Sequence, residues 1–179
     1  MYNNKTIKAL ICVRSGSVRV PNKNIRPFAG LNLLEIKIQQ LKRIKELDGI
    51  CVNSNSNEML TIAKSYGIET VKRDEYFATS EVPANEMLRN AAENIDCDVV
   101  LSTTVTTPLV NDETFSKAIN MYWNIPKEYD SLMTVLPLKE FLWVDGKAFN
   151  YKVEAKPRSQ DLPDNCVILN HCINIYLVL

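Results

Sequence analysis

The chain has 179 residues, 46% hydrophobic and 23% charged, and its 21 basic and 21 acidic side chains cancel to a formal net charge of zero. That length holds one domain with a sizeable core rather than two large ones, and the neutral balance excludes a chain-wide polyanion-binding or membrane-surface charge. Any charge argument is therefore local. No apolar run reaches the roughly 18 residues of a membrane-spanning helix. The opening "MYNNKTIKALICV" carries no signal-peptide cleavage pattern, so a cytoplasmic location is expected. Five cysteines (Cys12, Cys51, Cys97, Cys166 and Cys172) are odd in number and never spaced as C-x-x-C, and several lie inside apolar runs. Buried thiols in a reducing compartment are the plain reading.

In chain order, "TIKALICV" (6–13) and "GICVNS" (49–54) are short β-rich runs. Between them, "LNLLEIKIQQLKRIKEL" (31–47) sets Leu34, Ile38, Leu41 and Ile44 at helical spacing. The alternation continues with a helix near 57–66 closed by Gly67, a strand at 68–71, a helix near 84–95, the strand "DVVLSTT" (98–104), a helix over 112–123 and the strand "SLMTVL" (131–136). Strands alternating with helices of this length predict an α/β fold, a Rossmann-like mostly parallel sheet with helices on both faces and ligands at the strands' carboxyl ends.

After Pro137 the pattern changes. "FLWV", the turn-forming pair Asp145-Gly146 and "KAFNYKVEA" read as a β-hairpin, then come "KPRSQDLPDN" (156–165) and a last apolar strand "CINIYLVL" (172–179). Segment 138–165 is read as an excursion within a single 1–179 domain. It offers Leu138, Phe141, Leu142, Trp143, Phe149 and Tyr151, and an isolated hairpin with that much apolar surface needs either its own sheet or a second subunit to cover it. A homodimer is the expectation. The continuous hydrophobicity of the last strand places it in the parallel sheet, buried on both faces.

The stretch after the first strand, Cys12 to Arg26, is the chemically loaded one. It lacks the spacing of a Walker A loop and of a dinucleotide-binding glycine motif. It does carry Gly16 for close backbone approach, hydroxyls on Ser15 and Ser17, and Arg14, Arg19, Lys23 and Arg26 as cationic donors. Such parts can hold a polyphosphate, and the same composition also suits a solvated basic loop. His171 is the only histidine, so Ser-His-Asp or Cys-His chemistry would depend on it, and a Cys166/His171/Cys172 zinc site lacks a fourth ligand. A packed or hydrogen-bonded histidine near the last strand is the simpler reading.

The loop "R-S-G-S-x-R-x-P-N-K-N-I-R-P-F-A-G", the stretch "GICVNSNSNEMLTIAKSYGIETVKRDEYFATS" and the segment "KPRSQDLPDN" together resemble the acylneuraminate cytidylyltransferases, the CMP-sialic acid synthetase family. The likeness runs from about residue 7 to 176. It implies a nucleotidyltransferase coupling CTP to a nine-carbon α-keto acid sugar, giving a CMP-sugar and pyrophosphate, with no nucleic acid or membrane partner. It assigns the triphosphate and nucleotide contacts to Arg14, Ser17, Lys23 and Asn24, with Arg14 and Lys23 as the catalytic cations. Ser15, Gly16 and Arg19 join them from the loop's own chemistry. Arg73 matches an arginine before the third helix, and Thr104 stands where the family has a nucleotide-side glutamine. Arg158 and Gln160 match the acyl-sugar segment, and Asn170 the asparagine before the family's late strand.

Read without the resemblance, Arg158 is a surface residue, Arg73 belongs to a charged turn, and the Thr103–Thr107 region reflects strand-end propensity. There are departures as well. Val18 stands where many members have Lys, Asn55 replaces an Asp after the second strand, and Thr104 and Val110 replace Gln and Arg. The chain ends at Leu179, before the stretch in which the family carries Asp-x-Asp metal ligands. Mg²⁺ is therefore implied by the resemblance with no ligand assigned. A truncated or degenerate homologue that binds nucleotide or self-associates without efficient turnover is the alternative expectation, and a nucleotidyltransferase acting on another sugar is a third.

Overall fold

The computed structural model describes residues 4–17 and 19–178; Val18 and Leu179 lie outside the described residues. The elements in order are β1 (Ile7–Cys12), β2 (Pro27–Phe28), β3 (Leu31–Asn32), α1 (Leu33–Leu41), β4 (Gly49–Ser54), α2 (Asn57–Ser65), β5 (Glu69–Lys72), α3 (Ala84–Glu93), β6 (Val99–Thr103), α4 (Asp112–Trp123), β7 (Ser131–Pro137), β8 (Trp143–Val144), β9 (Lys147–Ala148) and β10 (Val167–Leu177). Short 3-10 turns lie at Glu75–Ala78, Val153–Ala155 and Ser159–Asp161.

The strands form a six-stranded sheet in the order β5-β4-β1-β6-β10-β7. β1 is parallel to β4, with Leu10 opposite Cys51, and to β6, with Ala9 opposite Leu101; β4 is parallel to β5. The expected mostly parallel α/β sheet is present. One expectation is corrected: β10 runs antiparallel to β6, with Ile175 opposite Leu101. Continuous hydrophobicity reports burial on both faces and is silent on strand direction, so that pattern could not fix the pairing sense.

Contacts divide the chain into two compact units, 1–132 with 172–179, and 133–171. In the first, successive residues of β1 feed opposite faces, as a period of two requires. Ile7, Ala9 and Ile11 join Leu34, Ile38 and Leu41 of α1, Met59 and Ala63 of α2, and Phe115 and Ile119 of α4. Leu10 joins Ala91 and Ala92 of α3 with Cys51 and Val100. Helices therefore cover both faces. The first helix starts where its sequence dictates: the Asn32 side chain accepts from the Glu35 amide, and the Glu35 carboxylate accepts from the Asn32 amide, a reciprocal cap that satisfies two orphan donors. It ends at Leu41, earlier than the apolar stripe suggests; Ile44 reaches the core from the following turn instead. Of the five free thiols Cys51 is fully buried and the other four are half-buried, so the expected burial is complete at Cys51 and partial at the rest.

In the second unit, Asp145 and Gly146 both have positive φ (48° and 74°), the two-residue turn that matches strand twist, and Trp143 pairs with Ala148. The paired strands are only two residues long, and the 3-10 turn at Val153–Ala155 replaces the expected continuation through "YKVEA". Asn150 is the internal fastener: it accepts from the Leu142 amide (3.0 Å) and donates to the Glu140 carbonyl (2.9 Å). Phe141 and Tyr151 meet edge to face at 4.9 Å, and Tyr151 accepts from the Trp143 indole at 2.8 Å.

Candidate active site

At the carboxyl end of β1 the chain leaves the sheet and returns as α1, and the intervening loop walls a cleft of about 400 Å³. Its lining is Cys12, Val13, Arg14, Ser17, Arg19, Lys23, Asn24, Ser80, Thr104, Val105 and Thr106, all from the first unit. Three cations and five hydroxyl or amide side chains face the space, and no carboxylate is in the lining. Such a cleft carries positive potential and suits a polyanion.

The loop is held by bonds that its own sequence supplies. Asn24 is buried; its side-chain amide donates to the Arg14 carbonyl (3.1 Å), and its backbone carbonyl accepts from the Leu34 amide (3.0 Å), so one residue ties the loop's start to the first turn of α1. Gly16 sits at φ +75°, a left-handed conformation that other residues adopt only with strain. Asn22 is likewise left-handed (φ 53°), and its carbonyl accepts from the amides of Ile25 and Arg26, closing a turn that aims Lys23. The Arg14 guanidinium donates to the Ala78 carbonyl and to Ser80 Oγ (3.0 Å). On the opposite wall, Thr107 Oγ1 donates to the Thr104 carbonyl (3.0 Å), shaping the turn after β6.

Arg14, Ser17, Arg19, Lys23, Asn24 and Thr104 are thus brought together around one cleft. Ser15 and Gly16 belong to the same loop but not to the lining; Ser15 instead engages Asn55, its amide donating to Oδ1 (3.1 Å) and its Oγ accepting from Nδ2 (3.0 Å). Arg73 is also outside the lining. It is 4% exposed and donates to Asn53 Oδ1 (2.5 Å) and to the Asn53 carbonyl (2.9 Å), fastening the carboxyl end of β4. Burial lowers its pKa, and burial pushes the neighbouring Cys12 thiol up to about 11 against the pull of that guanidinium.

Arg158, Gln160 and Asn170 belong to the second unit. Arg158 donates to Asp161 at 2.7 Å in an exposed pair, and Asn170 Oδ1 accepts from Thr134 Oγ1 (2.6 Å). His171 is exposed, with a left-handed backbone (φ 52°), so the packed form of that expectation does not hold. No cluster of three His, Cys, Asp or Glu side chains able to hold a metal occurs among the described residues. The cleft lining itself offers no carboxylate to a divalent cation.

The cytidylyltransferase family model matches residues 8–143, about three quarters of the chain. The chain belongs to the cytidylyltransferase family. Among its relatives, the post-translational flagellin modification protein B of Campylobacter coli is 28% identical, the match covering 95% of this chain and 77% of that protein. N-acylneuraminate cytidylyltransferase A of Danio rerio is 24% identical over 87% of this chain, which spans only 38% of that longer protein. A solved CMP:2-keto-3-deoxy-manno-octonic acid synthetase complexed with CTP shares the fold at a TM-score of 0.71 and 11% identity, covering 97% of this chain and 74% of that one. The enzyme class read from the loop and the later segments is supported by this membership.

Within this cytidylyltransferase-family chain, three side chains escaped the sequence reading. Ser80 lines the cleft opposite Arg14. Lys37 is fully buried, donating to Gln40 Oε1 (2.6 Å) and to the Thr107 carbonyl (3.0 Å) and lying 5.0 Å from the Phe115 ring centre, while Gln40 donates to the Val110 carbonyl. Val110 itself packs against the core and is not part of the cleft lining. Asn55 is the third in its task alone: the sequence marks it only as a departure, and its bonds run to Ser15 and Glu75. Only the helical spacing of Lys37 and Gln40 with Ile38 and Leu41 hinted at a buried polar pair. Among the described residues no helix is long and apolar enough to cross a membrane.

Proposed function

We propose that the chain transfers a cytidylyl group from CTP to a nonulosonic, sialic-acid-like sugar, releasing pyrophosphate. The observation that carries this reading is the convergence of Arg14, Arg19 and Lys23 with Ser17, Asn24 and Thr104 on a cleft free of lining carboxylates, in a chain of this family. The sugar's anomeric hydroxyl attacks the α-phosphorus in line and gives up its proton to solvent; the bond to the bridging oxygen of the β-phosphate breaks, and pyrophosphate leaves with that electron pair. Arg14 and Lys23 neutralise charge on the phosphates and on the departing pyrophosphate, the type of contribution that dominates such transfers. Ser17 and Asn24 donate to phosphate and ribose oxygens, and Thr104 faces the nucleotide from the β6 side. Arg73 acts from beneath by fixing Asn53.

Arg158, Gln160 and Asn170 are proposed as contacts of the acid sugar. A guanidinium already oriented by Asp161 can take a carboxylate in a forked geometry. The nonulosonic class is supported by the Danio rerio relative's N-acylneuraminate, while the eight-carbon octonic acid of the structural neighbour supports only the broader class of keto-acid sugars.

A homodimer is part of the same reading. In the second unit Trp143, Val144, Phe149, Val167, Ile168 and Leu169 are all exposed, a concentration of large apolar side chains that a second copy would cover.

Pyrophosphate release with CTP and a panel of sialic, legionaminic and pseudaminic acids tests the proposal. Turnover with one of them is the expected result. CTP binding with no pyrophosphate release from any acid would instead favour the non-catalytic alternative.

A further inference from the structure

The side-chain amide of Asn55 sits between two loops far apart in sequence. Its Oδ1 accepts from the Ser15 amide at 3.1 Å, and its Nδ2 donates to Ser15 Oγ and to Glu75 Oε2, each at 3.0 Å. Its backbone is fixed as well: the Lys72 ammonium donates to the Asn55 carbonyl and to Asn57 Oδ1 (2.8 Å). Glu75 opens the 3-10 turn whose far end, Ala78 and Ser80, receives the Arg14 guanidinium. The contacts close a ring: Ser15 to Asn55, Asn55 to Glu75, Glu75 through the turn to Ala78 and Ser80, and back through Arg14 to its neighbour Ser15.

We propose that Asn55 is a positioning residue, an amide clip that joins the 14–17 loop to the 75–80 segment and presets Arg14, Gly16 and Ser17 for the triphosphate. The inference rests on the nucleotide reading of that loop and goes beyond it by assigning the chain's Asn, where the resembled family has Asp, a task that needs an amide. A carboxylate at position 55 keeps the bond from the Ser15 amide. It has no hydrogen to offer Glu75, and the two carboxylates then repel at hydrogen-bonding distance. The clip should therefore open on its Glu75 side only. Replacing Glu75 by Gln supplies the missing donor from the other partner and recloses it with reversed polarity.

Hydrogen exchange on the ligand-free protein reads the clip directly. In Asn55→Ala both the Ser15 amide and the 75–80 segment exchange faster. In Asn55→Asp only the 75–80 segment does, and adding Glu75→Gln restores its protection. In CTP titrations the expected losses are about tenfold for Asn55→Ala, which removes two neutral hydrogen bonds to Ser15 and one to a charged partner, and about threefold for Asn55→Asp, a repulsion between partly exposed groups. The double variant Asn55→Asp/Glu75→Gln returns to within about twofold of the parent. A general structural role would not show that rescue, and equal thermal midpoints across the series would exclude a global effect. The proposal is overturned if Asn55→Ala matches the parent in Ser15 exchange and CTP affinity, or if Glu75→Gln fails to restore either readout. Should the parent bind no CTP, the nucleotide reading falls while the exchange data still decide the clip. If Asn55→Ala does not fold, the Asp and double variants carry the same decision.

Discussion

β6 in the first unit and the strand residues of the second unit look alike as sequence, "VVLST" against "MTVL" and "VIL", but their side chains end up in opposite environments. All five residues of β6 are buried, because β1 and β10 pair on its two sides and helices cover its faces. Met133, Val135 and Leu136 of β7 and Val167, Ile168 and Leu169 of β10 are exposed, and the described residues of the second unit contain only short 3-10 turns and no α-helix to lay over them. Apolar composition thus marks a strand without saying what covers it. The first unit spends its apolar residues on a core that holds a polar cleft at its edge. The second leaves them available to another surface.

The contrast should appear most strongly in stability. Leu101→Ala, at a fully buried position of β6, is expected to cost about 2–5 kcal/mol in equilibrium urea unfolding. Leu136→Ala, 53% exposed, should stay within about 0.5 kcal/mol. Comparable losses at both sites would erase the distinction.

Lys37 sharpens the comparison from inside the first unit, since a cation buried in that core has its pKa pushed down from 10.5 to about 8 by burial. Below about pH 8 both folded and unfolded chains hold the proton, and the cost of burying the charge is fully felt. Between 8 and 10.5 the unfolded chain keeps a proton that the folded chain has shed, so Lys37 contributes a rise in stability with pH, reaching about 3 kcal/mol across the window. Urea unfolding of the parent and of Lys37→Met at about pH 7.5 and about pH 9.5 isolates this contribution, because groups such as Cys12 and Tyr176 titrate in both proteins. Stabilities that run parallel in the two proteins would refute it.

For the second unit, the exposed apolar residues predict self-association that Trp143→Glu combined with Phe149→Glu weakens at least about a hundredfold, as loss of central aromatic anchors does. Sedimentation equilibrium would show it, and a parent that sediments as a monomer at micromolar concentration would remove the dimer. A smaller effect than these is expected at the hairpin turn. Gly146→Ala, at φ 74° with open space around a new Cβ, should cost only about 1 kcal/mol, from backbone strain alone.

Much of the first unit, and the hairpin turn of the second, was legible because the signals are local. The Leu34/Ile38/Leu41 spacing, the short β-rich runs and the Asp145-Gly146 pair each fix geometry within a few residues. The basic loop was legible for the same reason: Arg14, Ser17, Arg19, Lys23 and Asn24 lie within eleven positions of one another and line one cleft. What escaped depends on partners distant in sequence. Nothing near Lys37 announces that its ammonium reaches the carbonyl of Thr107, and Asn55 reads as a substitution until Ser15 and Glu75 are seen on either side of it. The antiparallel sense of β10 escaped for a similar reason, since burial is written in side chains and direction is not.

The central claim is that the first unit's cleft binds CTP through its loop cations, and calorimetric titration of CTP into the parent, Arg14→Ala, Lys23→Ala and Lys147→Ala tests it most directly. Lys147 lies in β9 of the second unit and serves as the control for charge alone. The account predicts one CTP site, tighter than for ATP or GTP, weakened by about 1.5–3 kcal/mol in each of the Arg14 and Lys23 variants and unchanged in the Lys147 variant. No CTP binding by the parent, or binding indifferent to both loop substitutions, would contradict it.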